Sequence, residues 1–277
     1  MRVGQPSQTA RGAAAYRAMH QTHESAAIFH DPFAERILDD ETRATLDEHA
    51  ANPSTRGMRL FIVSRSRFSE EALAACVGRG AGQVVVLGAG LDTFSLRNPF
   101  LHVRVFEVDF PATQAWKRQQ LQSAGLAVPE TLVFAPVDFE RESLADGLAR
   151  AGFRRDQPAF FQWLGVVPYL SSEAISSALD FIVSIPNAAV VFDYTEPFEN
   201  HPPERRANLM ATAERAAARG EPWLSFFNPS ELAAVLRGRG FTDIEDVGFA
   251  DLVNRYSPEL AEGLQPGPGG HVVRAAR

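Results

Sequence analysis

The sequence predicts an α/β protein built on a doubly wound, mostly parallel sheet, and three observations carry that expectation. Five apolar runs alternate with helical segments between residues 83 and 194. The first run ends on the glycine turn Gly88-Ala89-Gly90, and the second ends about 20 residues later on an acidic residue, the spacing of a nucleotide-type ligand site. Two further strand-like runs, FTDIEDVGF and HVVRAAR, close the chain.

The first stretch, residues 1–80, reads as helical and contains no convincing strand. Ala-rich residues 7–20 form an amphipathic helix. His30-Asp31-Pro32-Phe33 makes a turn with Asp31 as cap and Pro32 at a helix N1 position. AERILDDETRATLDEH continues as helix, and a further helix covers about residues 57–77, with Cys76 as a small buried thiol. The strands follow as QVVVLG (83–88), VRVFEVD (103–109), TLVFAPVD (131–138), PAFFQWLGV (158–166) and NAAVVFDY (187–194). Runs rich in Val and Phe without polar alternation suit strands covered on both faces by helices. Phe160, Phe161 and Trp163 are accordingly read as core.

After the fifth strand, residues 197–227 read as a helical insertion that acts as a lid. Its run ERRANLMATAERAAARG is expected to be a solvated amphipathic helix whose arginines need no anionic partner. Trp223, Phe226 and Phe227 either pack under that lid or line an aromatic pocket. A helix at 229–239 then leads to the terminal strand pair, separated by the turn-rich QPGPGG and expected to form an antiparallel hairpin at the sheet edge.

The chain has 277 residues, 45% hydrophobic and 22% charged, with a formal net charge of -7, which disfavours nucleic acid as main partner. Its single cysteine excludes an internal disulfide, and no run approaches the roughly 18 apolar residues of a membrane span. The N-terminal sequence has no apolar core of a signal peptide, so a cytoplasmic location is expected. The length suits one α/β core, residues 81–277, with an N-terminal helical cap over residues 1–80.

The sharpest local signal is VVVLGAGLDTFSLR. Glycines at 88 and 90 let backbone approach a ligand closely, and the helix that follows offers free N–H groups. Glu107 and Asp109, on one face of the next strand, present carboxylates able to accept hydrogen bonds from a ribose diol. Two features favour S-adenosylmethionine over NAD. Thr93 stands where a dinucleotide fingerprint has its third glycine, and VDF follows the third strand, where Asp138 can accept from an adenine amino group while Phe139 offers backbone N–H and an apolar face.

At this point the residues resemble a known family. LGAGLDTFSLRNPF followed by VRVFEVDFPATQAWKRQQL, with TARGAAAYRAM, HDPFAERIL, RSRF, VDF, FQWLGVVPYL and VVFDY, is similar to the leucine carboxyl methyltransferase family, in particular its bacterial branch of small-molecule and polyketide O-methyltransferases. The resemblance implies a class I, Rossmann-like methyltransferase fold with a seven-stranded, mostly parallel sheet and a terminal antiparallel strand. It implies S-adenosylmethionine as cofactor. It also implies that Arg65 grips the methionine carboxylate, that Gly88, Ala89 and Gly90 line the methionine and ribose end, that Asp109 holds the ribose with Glu107 beside it, and that Asp138 and Phe139 meet the adenine. Leu164 replaces the glutamate that family members acting on protein C-termini show, which removes an ionic contact near the cofactor amine. Tyr169 matches the family's tyrosine at the substrate mouth.

A sulfonium carries its own activation, so methyl transfer needs in-line approach and exclusion of water, and only a phenol or alcohol gains from a base. Tyr169, His20, His23 and Asp193 are the candidates for a catalytic group, with His30, His201 and Glu196 as weaker ones. No metal is expected. The expected activity is O-methylation of a polyketide-like, phenolic or carboxylic acid metabolite by a protein that is a monomer or homodimer. The alternatives are carboxyl methylation of a protein C-terminus, an NAD-binding oxidoreductase, and a non-catalytic cofactor-binding protein.

Overall fold

The computed structural model describes residues 7–138, 142–218 and 220–277. Four helices precede the first strand: α1 (Gln8–His23), α2 (Asp40–Ala44), α3 (Leu46–Ala51) and α4 (Arg56–Gly78). Strands and helices then alternate as β1 (Gln83–Leu87), α5 (Phe94–Arg97), β2 (Arg104–Asp109), α6 (Pro111–Ser123), β3 (Leu132–Pro136), α7 (Leu144–Arg150), β4 (Ala159–Trp163), α8 (Ser172–Val183) and β5 (Ala189–Thr195). The chain closes with α9 (Pro203–Ala218), α10 (Pro229–Gly238), β6 (Asp243–Gly248), α11 (Phe249–Tyr256), α12 (Pro258–Ala261) and β7 (Gly270–Ala276).

These strands form one seven-stranded sheet of order β3-β2-β1-β4-β5-β7-β6. All neighbouring pairs are parallel except those of β7, which runs antiparallel between β5 and β6. The seven strands and the single reversed one are as the sequence predicted. The hairpin is wider than expected, since α11 and α12 intervene between β6 and β7.

Strand periodicity divides the apolar runs between two cores. Val85, Leu87, Phe161, Trp163, Val190 and Phe192 face α7, α8 and α10 through Leu148, Leu179 and Leu236. Val84, Val86, Phe160 and Val191 face the other way, onto Phe68, Leu73 and Cys76 of α4 and Leu252 of α11. The last helix of the expected cap, α4, thus shares the sheet's own core. Burial of each such side chain contributes about 1.5–3 kcal/mol.

The predicted helix across residues 34–49 is broken. Residues 32–37 form turns, and helix resumes only at α2, where the Asp39 carboxylate accepts the Thr42 N–H and caps a new start. Asp31 does cap locally, accepting the Phe33 N–H at 3.1 Å, yet it is also 1% exposed and bonded to Arg17 of α1 and to Thr93 beside the glycine turn.

Candidate functional site

The site grows from the carboxyl ends of β1, β2 and β4. Beyond β1 the chain turns at Gly88 (φ 65°) and Gly90 (φ 46°), a backbone conformation that side chains with a Cβ resist. A Cβ at Gly88 would stand 2.4 Å from Val166, and one at Gly90 2.7 Å from Ala10 of α1, so the turn is pressed between two layers. Gly88 and Ala89 donate their N–H groups to the Val108 carbonyl, and Gly90 donates to the Asp109 carboxylate at 2.5 Å.

Asp109 therefore sits at the floor, 8% exposed, with a second N–H arriving from Phe110 at 2.7 Å. Burial outweighs those bonds and lifts its pKa to about 6. Glu107, two residues earlier, occupies a different place from the one expected. It is fully buried, ion-paired with Lys117 of α6 at 2.6 Å and accepting from Ser95 at 2.7 Å, and it does not line the cavity. Because Lys117 also donates to the Asp92 carbonyl at 2.6 Å, this pair braces the loop after the glycine turn.

Above this floor lies a cavity of about 320 Å³. Its wall includes Arg65, Gly88, Ala89, Gly90, Asp109 and Leu164, together with Arg17 and Ala13 of α1 and Glu221. Arg65 reaches it from α4. Its guanidinium donates from Nη1 to Asp193 at 2.5 Å, and its Nε is buried without a hydrogen-bond partner. Gly165 (φ 72°) makes room for it: a Cβ there would stand 2.9 Å from Arg65 Nη2. Asp193, at the end of β5, spends its other oxygen on the Gly165 N–H at 2.5 Å. Thus Asp193 positions Arg65 and the β4 loop, and both of its oxygens are engaged, which removes it as a free base.

A second cavity of about 420 Å³ adjoins the first, sharing Thr9, Ala13, Arg65, Gly165, Tyr169 and Glu221 as common wall. Phe61, Ile62, Trp223 and Phe249 give it an apolar body, and α9 covers it. Trp223 thus proves to be a chamber residue, whereas Phe226 packs on Phe198 (4.8 Å between centroids) and Phe227 on Tyr194 (6.1 Å). Burial raises the Tyr169 pKa, so the hydroxyl on the common wall keeps its proton.

The histidine candidates lie elsewhere. His20 is fully buried, its Nε2 accepting N–H groups of Ile28 and Phe29 and its Nδ1 facing Glu24 at 3.1 Å. That ring fixes the turn after α1 and cannot act as a base. His23 is exposed, 3.8 Å from Asp47, and lines neither cavity. His201 is buried at the entry to α9 outside both linings, and Glu196 belongs to a network with His271 and Asn200. Asp138 stands just past β3, whose Pro136 pairs with Asp109, at the same sheet edge but outside the cavity lining. Phe139 lies outside the described residues. No group of three or more metal-ligating side chains occurs among the described residues.

Three features escaped the sequence. Gln162 lines the first cavity and donates to Asp92 at 3.3 Å while accepting from Ser69 at 3.2 Å. Glu221 accepts from Ser7 Oγ at 2.8 Å, from the Thr9 N–H at 3.1 Å and from the Thr9 hydroxyl, tying the start of α1 to the loop after α9. Arg17 donates to the Leu91 carbonyl at 2.6 Å. No local pattern marks any of them, because each partner lies 70 or more residues away.

Comparison with known proteins decides the family, since the model of leucine carboxyl methyltransferases matches residues 10–183. The chain belongs to the leucine carboxyl methyltransferase family. A Bacillus subtilis relative, "Putative S-adenosyl-L-methionine-dependent methyltransferase YktD", is 29% identical over 306 aligned positions, covering all of both chains. A Mycobacterium avium relative described in the same words is 29% identical over 93% of this chain and 90% of its own length. In fold, the chain is similar to a Thermobifida fusca protein described as a "putative methyltransferase", with a TM-score of 0.61 at 16% identity over 100% of this chain and 96% of that one. This member of the family is an S-adenosylmethionine-dependent methyltransferase with a class I fold, which sets aside the NAD-binding alternative. Among the described residues no helix is long and apolar enough to cross a membrane.

The residues present fit that cofactor. A buried guanidinium nitrogen without a partner, a buried carboxylate with oxygen lone pairs to spare, and a glycine turn whose positive-φ positions carry no Cβ answer to a carboxylate, a diol and a close-packed sulfonium chain.

Proposed function

We propose that this methyltransferase methylates an oxygen of a small molecule held in the second chamber. The observation that carries the reading is the common wall. One cavity has the donors and acceptors for the cofactor, the other has an apolar, largely aromatic body with charged residues at its margins, and Arg65, Gly165 and Tyr169 stand between them.

In this reading Asp109 accepts from the ribose diol, Arg65 meets the methionine carboxylate, and the backbone from Gly88 to Gly90 takes the chain between them. Leu164 packs on the cofactor, and Asp138 faces the adenine at the β3 edge. When bound, the cofactor supplies a methyl group activated by its sulfonium. The protein's share is to orient and to exclude water: α1 and the Glu221 loop close over both cavities, and Asp193 holds Arg65 in place. No histidine lines either cavity among the described residues, Asp193 is engaged, and Tyr169 keeps its proton. An acceptor oxygen that is already anionic, such as a carboxylate, suits such a site because it needs no base.

Thermal-shift and calorimetric titrations with S-adenosylmethionine, S-adenosylhomocysteine and NAD test the cofactor half. Ligand at one hundred times its Kd is expected to stabilise by about 2.7 kcal/mol. Stabilisation by NAD alone would overturn it. Transfer of labelled methyl to a panel of acids, phenols and amines tests the acceptor half, with turnover of amines and not of oxygen acceptors as the contrary result.

A further inference from the structure

The lid helix α9 contains no buried residue, and the sequence reading left its arginines in solvent. The structure gives two of them a chamber. Arg205, Leu209, Thr212 and Ala216 recur at i, i+4, i+7 and i+11, so they share one helical stripe, and all four line the second cavity. Arg215 flanks that stripe and is drawn toward it by a hydrogen bond from its Nη2 to Thr212 Oγ1 at 2.9 Å. Arg205 lies over the start of β7, its Nη2 3.0 Å from where a Gly269 Cβ would be.

The charge balance of this chamber points to its occupant. Its other ionic residues are spoken for: Arg65 is paired with Asp193, and Glu221 accepts from Ser7 and Thr9. Among the described residues no ion pair joins Arg205 or Arg215 to a carboxylate, and Arg215 donates only to the Thr212 hydroxyl, in a chain whose net charge is -7. Nor does either line the first cavity, so their positive charge belongs to the acceptor side alone. Opposite them, Met58, Phe61, Trp223 and Phe249 offer an apolar and largely aromatic surface.

We propose that the methyl acceptor has an apolar, aromatic body and carries an anionic group, distinct from the reacting oxygen, that Arg205 and Arg215 bind at the lid. The reacting oxygen has to face the wall shared with the cofactor, whereas the two guanidiniums hold the far end. This inference rests on the assignment of the second cavity to the acceptor.

The test uses the full chain saturated with S-adenosylhomocysteine and two matched probes with their substituents at opposite ends of the ring system, 6-hydroxy-2-naphthoate and its neutral amide. Binding of the homocysteine product, measured first, reports on the cofactor reading by itself; its failure sinks that reading before the probes are added. With the product bound, the acid is expected to bind tighter than the amide by on the order of tenfold or more, as charge-assisted hydrogen bonds do. In the Arg205→Gln/Arg215→Gln double variant that preference is expected to collapse to near unity, and Arg205→Lys/Arg215→Lys to restore part of it. Equal affinity for acid and amide in the unaltered protein, no binding of the acid at millimolar concentration, or a preference that survives in the glutamine variant would each overturn the proposal.

Discussion

The first cavity is floored by backbone at the ends of β1, β2 and β4, whereas the second is roofed by side chains of α9, α1 and the loop at 220–224. Its floor is over-determined. Gly88, Ala89 and Gly90 are each tied to β2, Asp109 receives two N–H groups, and the Lys117–Glu107 pair braces the loop behind. The roof hangs on few bonds: α9 has no buried residue, and Glu221 is the latch between it and α1. The contrast teaches that the floor is held rigid and the roof is loosely covered, since interfaces with few buried contacts open first; in the proposed reading the loose half is the one that adapts to an acceptor.

The largest expected effect falls on the floor. Gly88→Val forces a branched side chain into a left-handed backbone and against Val166, at a cost of about 1–2 kcal/mol for the backbone and more for the clash. Loss of measurable cofactor binding in calorimetry is expected. Retention of affinity within a few-fold would show that the turn is less confined than its geometry says.

Next comes Asp109→Asn, expected to weaken S-adenosylhomocysteine by about 3 kcal/mol, on the order of a hundredfold, by removing charge-assisted bonds. A pH titration sharpens this. The cofactor-free carboxyl has its pKa raised to about 6 by burial, and a diol donates to its ionised form. Affinity is therefore expected to be level above pH 6 and to fall toward about tenfold per unit below it, while the asparagine variant shows no such slope. The same shift means that the cofactor-free fold bears the cost of this buried charge above pH 6 and sheds it as pH drops through that value. A flat profile in the unaltered protein would separate Asp109 from the ligand.

The smallest effect belongs to the roof. Glu221→Gln leaves the fold intact and weakens three hydrogen bonds of about 1 kcal/mol each. Hydrogen exchange in α1 and α9 is expected to quicken by on the order of tenfold, with the KM for acceptor rising more than that for cofactor. Unchanged exchange in α1 would mean that the roof is held by something other than this latch.

The same contrast governs what could be read from the chain. The floor was legible because its parts are local: a strand ending on glycines and the next ending on aspartate fix each other through parallel register, as Leu87 opposite Val108 shows. Glu107 was misplaced for a local reason too, since alternation puts it on the same strand face as Asp109 but only three dimensions reveal Lys117 beneath it. His20 and Asp193 looked like chemistry and turned out to hold a turn and an arginine, because their partners, Ile28 and Phe29 in one case and Arg65 in the other, are not predicted by spacing.

By itself, the sequence determined the sheet, its single reversed strand and the glycine turn, since hydrophobic period and backbone permissiveness act over a few residues, and its motifs shared with a known family implied the cofactor. Only the tertiary structure decided which charges meet. Arg65 with Asp193 across 128 positions, Thr9 with Glu221 across 212, and the placing of Arg205 and Arg215 over an aromatic chamber are set by packing of distant elements. Contacts of that range leave no period in a sequence, because either partner alone is an ordinary polar residue until the fold removes it from water.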